Sequence, residues 1–245
     1  MISIIIPVRD LPSLTNACLN LIERNTITSE YEIIIVDNGS EVPFNVRTRQ
    51  EQVSVIRNET NLGFPAAVNQ GIKAATGDII CLLNNDVVVT DPWLERLCYH
   101  LDHADIVGPL TNFSCGLQAR SIPYVYNNYE ELVQVANKIY NTQGWNNTKV
   151  NWLSGFCLLI KREVIDEIGM LDEVFYPGNY ENLDFCMRAK EAGFSIVIAD
   201  DVFVHHYGSL THINMEIDYS NLLDINLKLF VSKWGESTLY NQKGE

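Results

Sequence analysis

No C-x-x-C pair occurs among the six cysteines, Cys18, Cys81, Cys98, Cys115, Cys157 and Cys186. A zinc site or a redox dithiol is therefore not expected, and the thiols read as reduced and mainly buried. No G-x-G-x-x-G follows the first apolar run, which disfavours a nicotinamide or flavin site. No apolar run approaches the roughly 20 residues that span a bilayer. The N-terminus opens into a β-like run without a basic region or cleavage site, so a cytoplasmic chain is expected, with any membrane association peripheral. Basic residues are scarce: 17 Lys and Arg stand against 31 Asp and Glu, a formal charge of -14. That balance excludes broad attraction to nucleic acid. It still permits a phosphorylated ligand held by backbone donors and a metal ion. Repeats and low-complexity tracts are also missing.

What is present is a run of Ile-, Val- and Leu-rich segments. Ser3–Val8, Glu32–Val36 and Ile79–Leu83 are continuous apolar stretches ending in polar or turn residues, the pattern of parallel strands covered on both faces. Val53–Arg57 reads as a shorter strand. Leu14–Arg24 carries Leu14, Ala17, Cys18, Leu21 and Ile22 at helical spacing. A second helix is expected near Pro65–Ala75, with Pro65 in its first turn. Strand and helix alternate as in a doubly wound, mostly parallel sheet flanked by helices. Further on, helices are expected at Pro92–Leu101, Tyr129–Tyr140, Arg162–Ile168, Leu183–Ala192 and Asn214–Trp234. Strands are expected at Trp152–Lys161 and Ser195–Ala199. The polar stretch Asn112–Thr148 reads as a mobile insertion forming part of a smaller lobe. One α/β domain over residues 1–245, in halves 1–110 and 111–245, is the simplest organisation.

Six segments carry chemistry-bearing residues. Pro7, Val8 and Arg9 end the first strand at the carboxyl edge, where open α/β sheets bind ligands. Asp37 and Asn38 end the second, where a carboxylate can accept from a base or ribose, although D-N-G-S is also a common turn. Gly63 and Phe64 lead into the second helix, whose N-terminus can face phosphate, with Asn69 one turn in. Asn84, Asn85 and Asp86 close a long apolar strand with oxygens suited to a hard cation. Glu181 and Asp184 lie three apart at a helix start, placing both on one face: one as general base, or both as capping groups. His205 and His206 end a strand; adjacent residues point to opposite faces, so one of the two is the candidate metal ligand.

In this order and spacing, with Gly155–Arg162 and Ile168–Glu173 between them, the segments resemble the large inverting glycosyltransferase family 2, of GT-A fold, from Ser3 to about Ser209. The resemblance implies a Rossmann-like sheet with a smaller acceptor-side lobe. It also implies a metal-dependent hexosyltransferase or related transferase, using a nucleoside-diphosphate-sugar donor and Mn2+ or Mg2+. Residues 1–110 would bind the donor and 111–245 the acceptor. Pro7 to Arg9 would line the base pocket, Asp37 would hold base or ribose, and Asn69 would lie near the nucleotide. Asn84-Asn85-Asp86 would stand for the family's D-x-D, with Asp86 on the metal and a later histidine completing its shell. Glu181-Asn182-Leu183-Asp184 would match the E-D-x-D segment. Two departures matter: Asn84 replaces the first Asp of D-x-D, and Asn182 replaces the usual basic Asp and cannot take a proton. Glu181 is the favoured base in its place, ahead of Asp184. The acceptor, whether glycan, lipid-linked or protein, is not specified, and a homo-oligomer is left open. The competing readings are a non-catalytic nucleotide-sugar-binding or scaffold protein and a sugar-phosphate nucleotidyltransferase. The latter would want a Gly- and Lys/Arg-rich loop after the first strand. Tyr124, Tyr126, Tyr129, Tyr140 and Trp145 read equally as sugar-stacking or core aromatics.

Overall fold

Three consecutive isoleucines stand in each of two neighbouring strands, and all six are at most 1% exposed. Successive side chains alternate between faces. Ile5 and Ile34 therefore enter one core, and Ile4, Ile6, Ile33 and Ile35 the other. The computed structural model describes residues 1–27, 30–48, 52–119, 125–208, 219–241 and 244. Its first half contains β1 (Ile2–Val8), α1 (Pro12–Asn25), β2 (Tyr31–Asn38), β3 (Val53–Asn58), α2 (Phe64–Ala74), β4 (Ile79–Leu83), β5 (Val87–Val88), α3 (Trp93–Leu101) and β6 (Ile106–Leu110). Then follow α4 (Tyr129–Gln143), β7 (Asn147–Lys149), β8 (Cys157–Lys161), α5 (Arg162–Ile168), α6 (Glu181–Glu191), β9 (Ile196–Phe203), β10 (His205–His206), α7 (Tyr219–Trp234) and α8 (Ser237–Tyr240).

The main sheet has the order β3-β2-β1-β4-β8-β6-β9-β7. β3, β2, β1 and β4 run parallel, as does the β6–β9 pair, whereas β8 and β7 are antiparallel to their neighbours. The sheet is thus parallel in its first half and mixed beyond it. Helix α2 lies close on β1: a Cβ at Gly71 would collide with the Ile5 side chain. A two-stranded ribbon pairs β10 with β5, His205 opposite Val88 and His206 opposite Val87.

The strand expected over Trp152–Lys161 begins only at Cys157. The preceding backbone serves other groups instead: Leu153 O accepts from Asn182 Nδ2, Ser154 N donates to Gln118 Oε1, and Phe156 O accepts from Asn84 N. Helix α6 starts two residues before the expected Leu183, after a left-handed Tyr180. β9 runs past the expected Ala199 and through Asp200 and Asp201. Those acids are tolerated in a buried strand because Thr148 Oγ1 donates to Asp200 and both Arg96 and His100 contact Asp201. The polar stretch 112–148, read as a mobile insertion, contributes α4, whose Leu132, Val135, Ala136 and Ile139 are buried, and the edge strand β7. Residues 120–124 and 214–218 of the expected elements lie outside the described residues. The cysteines are free thiols, with Cys98 half-buried and Cys115 exposed.

Candidate active site

Because β1, β2 and β4 are parallel, their polar tips gather at one edge of the sheet. Val8 is paired with Asp37, and β4 lies on the other side of β1. The ends of β2 and β4 are two strand spacings apart, about 10 Å. Pro7, which has no N–H, sits beyond the last β1–β4 pair, Ile5 with Leu82. Val8 is buried in the core, and Arg9 follows with its Nε buried and without a partner among the described residues.

Asp37 is fully buried and its two oxygens are filled from within. Oδ1 accepts from Ser40 N at 3.1 Å and Ser40 Oγ at 2.5 Å, and Oδ2 from Phe44 N at 2.8 Å and Arg57 Nη1 at 2.7 Å. Burial pushes its proton affinity up, but these donors outweigh it and the carboxyl titrates below its usual value. Asn38 accepts from Leu62 N and Asn58 Nδ2 and donates to Asn61 Oδ1 and Gly63 O, so it shapes the loop entering α2. At Gly63 φ is +88°, and an added Cβ would stand 2.8 Å from the Tyr176 ring. The close approach lets Phe64 N donate to Pro177 O at 2.7 Å, joining the start of α2 to the loop that leads into α6. Asn69 spends both amide protons on Leu171 O and Glu173 Oε1 and accepts from Leu171 N. Its amide is a strut within the fold, not a group turned to the strand tips.

The N-N-D segment divides by role. Asn85 is buried and donates to Thr15 Oγ1, tying the turn to α1. Asn84 Nδ2 lies 3.4 Å from His206 Nε2, and Asp86 Oδ1 lies 3.2 Å from the same nitrogen. His206 Nδ1 is 2.8 Å from Phe113 O. A carbonyl only accepts, so Nδ1 carries a proton, and a hydrogen bond from that nitrogen commonly orients an imidazole that binds metal through the other. Nε2 then faces a carboxylate oxygen, and two acceptors at that separation need a proton or a cation between them. The Phe156 ring stacks on the imidazole, with centroids 5.0 Å apart at 16°. His205 turns the other way, its Nδ1 2.6 Å from Tyr126 Oη. Burial, reinforced by neighbouring His206, lowers its proton affinity. The β10–β5 pairing thus brings His206, not His205, to Asp86. Among the described residues no cluster of three or more His, Cys, Asp and Glu occurs. Asp86 and His206 have the donor types that would suit a divalent ion, as a partial set.

Asn179 and Tyr180 both have left-handed φ, 76° and 73°, a costly arrangement of the kind concentrated at functional sites. It is held from α7: Asn226 Nδ2 donates to Gly178 O at 2.8 Å and lies 3.2–3.5 Å from the carbonyls of Phe175, Tyr176 and Asn179. Glu181, the first helical residue, is 4% exposed, and its Oε2 has no partner among the described residues. Burial pushes its carboxyl up to about 7, only partly offset by the backbone N–H groups of Glu181 and Asn179. Asp184 differs: Arg188 Nε at 2.9 Å, Trp234 Nε1 at 2.9 Å and Lys233 Nζ at 2.6 Å all contact its buried carboxylate. That engagement makes it the anchor of α7. Asn182 donates to Leu153 O at 2.6 Å.

Several residues around the site were not anticipated. Arg57, which neutralises Asp37, stands directly opposite it in the β2–β3 register; the pairing becomes visible once β3 is placed beside β2. Phe113 and Phe156 act through backbone carbonyls or ring stacking, and Asn226 through its side-chain amide; none of them left a motif. Of the aromatic group, Tyr140 and Trp145 sandwich the Arg96 guanidinium at 3.6 and 3.8 Å. Tyr129 Oη donates to Asn25, Tyr126 meets His205, and Tyr124 lies outside the described residues.

A parallel edge of polar strand tips, continued through a mixed sheet to a helix that starts with a buried carboxylate, defines a GT-A glycosyltransferase fold. The sequence model of glycosyl transferase family 2 matches residues 3–169, and the chain belongs to that family. It is similar to Glycosyltransferase AglE of Haloferax volcanii, 26% identical over 212 residues covering 84% of this chain and 66% of that protein. It is also similar to the O-antigen biosynthesis protein RfbC of Myxococcus xanthus, 25% identical over 84% of this chain and 17% of that protein. The chain therefore spans under two thirds of the length of these relatives. Among solved structures it is similar to GalNAc-T7 with UDP, GalNAc and Mn2+: TM-score 0.65, 16% identity, 84% of this chain and 43% of that one. It is likewise similar to S. aureus TarS 1-349 in complex with UDP-GlcNAc: TM-score 0.60, 14% identity, 95% of this chain and 66% of that one. At these identities the structural likeness speaks for the fold. No helix among the described residues is long and apolar enough to cross a membrane.

Proposed function

We propose that this protein moves a sugar from a nucleoside-diphosphate-sugar to a hydroxyl of a glycan, lipid-linked or protein acceptor, inverting the anomeric carbon, in the synthesis of a surface polysaccharide or glycoconjugate. The observation that carries the reading is Glu181. A buried carboxylate with an unpartnered oxygen destabilises a fold, and its affinity for a proton, raised to about 7, matches a general base working near neutrality. Family membership supports the reaction class, and the nucleotide-sugar seen with TarS supports the donor class. In this reading residues 1–110 bind the donor, residues 111–245 bind the acceptor and carry the base, and the protein works in the cytoplasm.

The chain's own groups divide the work. Asp86 and His206 would hold Mn2+ or Mg2+, and such an ion would supply counter-charge for a departing diphosphate. The loop entering α2, shaped by Asn38 and Gly63, and the Pro7–Arg9 turn form the walls of the nucleotide site. Glu181 takes the acceptor's hydroxyl proton as that oxygen bonds to the anomeric carbon. The bond from that carbon to the diphosphate oxygen breaks, and its electron pair leaves with the nucleoside diphosphate. Asp184 is occupied by Arg188, Lys233 and Trp234 and stays structural.

A thermal-shift screen of UDP-, dTDP- and GDP-sugars with Mn2+ tests the site, because a ligand that binds only the folded state raises its melting point. One donor is expected to stabilise the wild type in a metal-dependent way and to lose that effect in Asp86→Ala. A shift indifferent to EDTA and to Asp86→Ala would reject the metal role. The non-catalytic reading draws on Asn84 and Asn182, amides where the resemblance expects carboxylates; tight donor binding with no turnover over long incubation would select it.

A further inference from the structure

The 153–156 loop touches both parts of the site. Its Leu153 carbonyl accepts from Asn182 Nδ2 at 2.6 Å, and its Phe156 carbonyl accepts from Asn84 N at 2.8 Å. The Phe156 ring lies flat on the His206 imidazole. Asn182 is itself buried, and a Cβ added to Gly155 would stand 3.2 Å from the Asn182 Cβ, so helix and loop are in direct contact. Position 182 faces an atom that can only accept, which makes a donor the chemical requirement there. An aspartate of the same shape would set a carboxylate oxygen against that carbonyl, whereas an alanine would merely leave it unbonded.

Resting on the reading of Glu181 as base and of Asp86 with His206 as the diphosphate site, we propose that Asn182 is a positioning residue. By donating to the Leu153 carbonyl it holds the 153–156 loop, and through Phe156 the His206 imidazole, in register with the carboxylate at the start of α6. The asparagine is then not a base that has been lost but a donor that the site uses. It aligns the proton acceptor on α6 with the leaving-group side in the turn after β4 and on β10, two places separated by the loop.

The test compares Asn182→Asp, Asn182→Ala, Glu181→Gln and the Glu181→Gln/Asn182→Asp double variant, each at a temperature well below its melting point. The first readout needs no substrate. Stacking on Phe156 displaces the NMR signal of the His206 ring proton on Cε1, identified by its loss in His206→Gln. Asn182→Asp is expected to move that signal toward the position of an unstacked imidazole. The second readout is turnover: kcat is expected to fall by about 10²-fold, the cost of a misplacement near 1 Å, more in Asn182→Asp than in Asn182→Ala, and by a larger factor than KM for the donor changes. The double variant is expected to be no faster than Glu181→Gln alone. An unmoved His206 signal, wild-type kcat in Asn182→Asp, or recovery of Glu181→Gln activity in the double variant would each overturn the proposal. Unchanged turnover in Glu181→Gln alone would refute the base assignment instead and leave the His206 readout to decide on Asn182.

Discussion

Replacing Glu181 by glutamine keeps the side chain's shape and removes its charge, and the structure gives the consequence a sign and a size. Its carboxyl is raised by burial from 4.5 to about 7. The folded state therefore binds this proton more tightly than the unfolded chain. Below the unfolded value both states are protonated and the group is neutral toward stability. Between the two values the unfolded chain ionises while the native state does not, so stability falls. Above the folded value the full cost is present. At about 1.4 kcal/mol per unit, the shift corresponds to about 3 kcal/mol. Glutamine cannot ionise and lacks this fall. Its extra amide proton costs about 1–3 kcal/mol if unpaired, but equally at every pH. Urea unfolding of both proteins at about pH 4 and about pH 8 isolates the effect: the variant's stability relative to wild type is expected to improve by about 3 kcal/mol between them. Turnover moves oppositely. Wild-type kcat is expected to rise with pH through about 7 as Glu181 ionises, and Glu181→Gln is expected to lose that limb and about 10²–10⁴-fold in rate. A variant more stable at alkaline pH yet inactive would show a group kept for chemistry at the fold's expense. A stability difference that does not change with pH, or retained turnover, would refute the reasoning.

Other outcomes follow from groups that the site or its scaffold neutralises. Arg96→Met takes the guanidinium from the fully buried Asp201, leaving His100 against it, and removes the cation held between Tyr140 and Trp145; a loss of about 3–5 kcal/mol is expected in denaturant titration, and a loss under about 1 kcal/mol would mean that water or His100 compensates the carboxylate. Asp37 titrates below its ordinary 3.8, so its contribution to stability is present above that pH and is lost as the pH falls through its lower folded value. Asp37→Asn is expected to destabilise at neutral pH by about 1–3 kcal/mol and to show a shallower acid-unfolding profile; an identical profile would deny the hub its role. Gly71→Ala should overpack α2 against Ile5 and cost about 1–3 kcal/mol, read as a lower melting temperature; an unchanged one would show that the helix can back away.

Local composition and periodicity were enough for the parallel half of the sheet and for its polar edge. Ile-rich runs bury both faces of β1, β2 and β4 wherever the chain takes them, and parallel strands must present their carboxyl ends together, so Asp37 and Asp86 were bound to share that edge. Burial and pairing by partners remote in sequence were not legible. Asp184 and Glu181 look alike on one helical face until Lys233 and Trp234 arrive from α7 to claim the first and leave the second alone. Asp200 and Asp201 resemble a strand end until Thr148, Arg96 and His100 neutralise them. His205 and His206 are equivalent in the chain, and only the antiparallel pairing with Val87 and Val88 turns one toward Asp86. The apolar pattern acts on each residue through its own neighbours along the chain, whereas the proton affinity of a buried acid is set by which donors the tertiary fold carries to it.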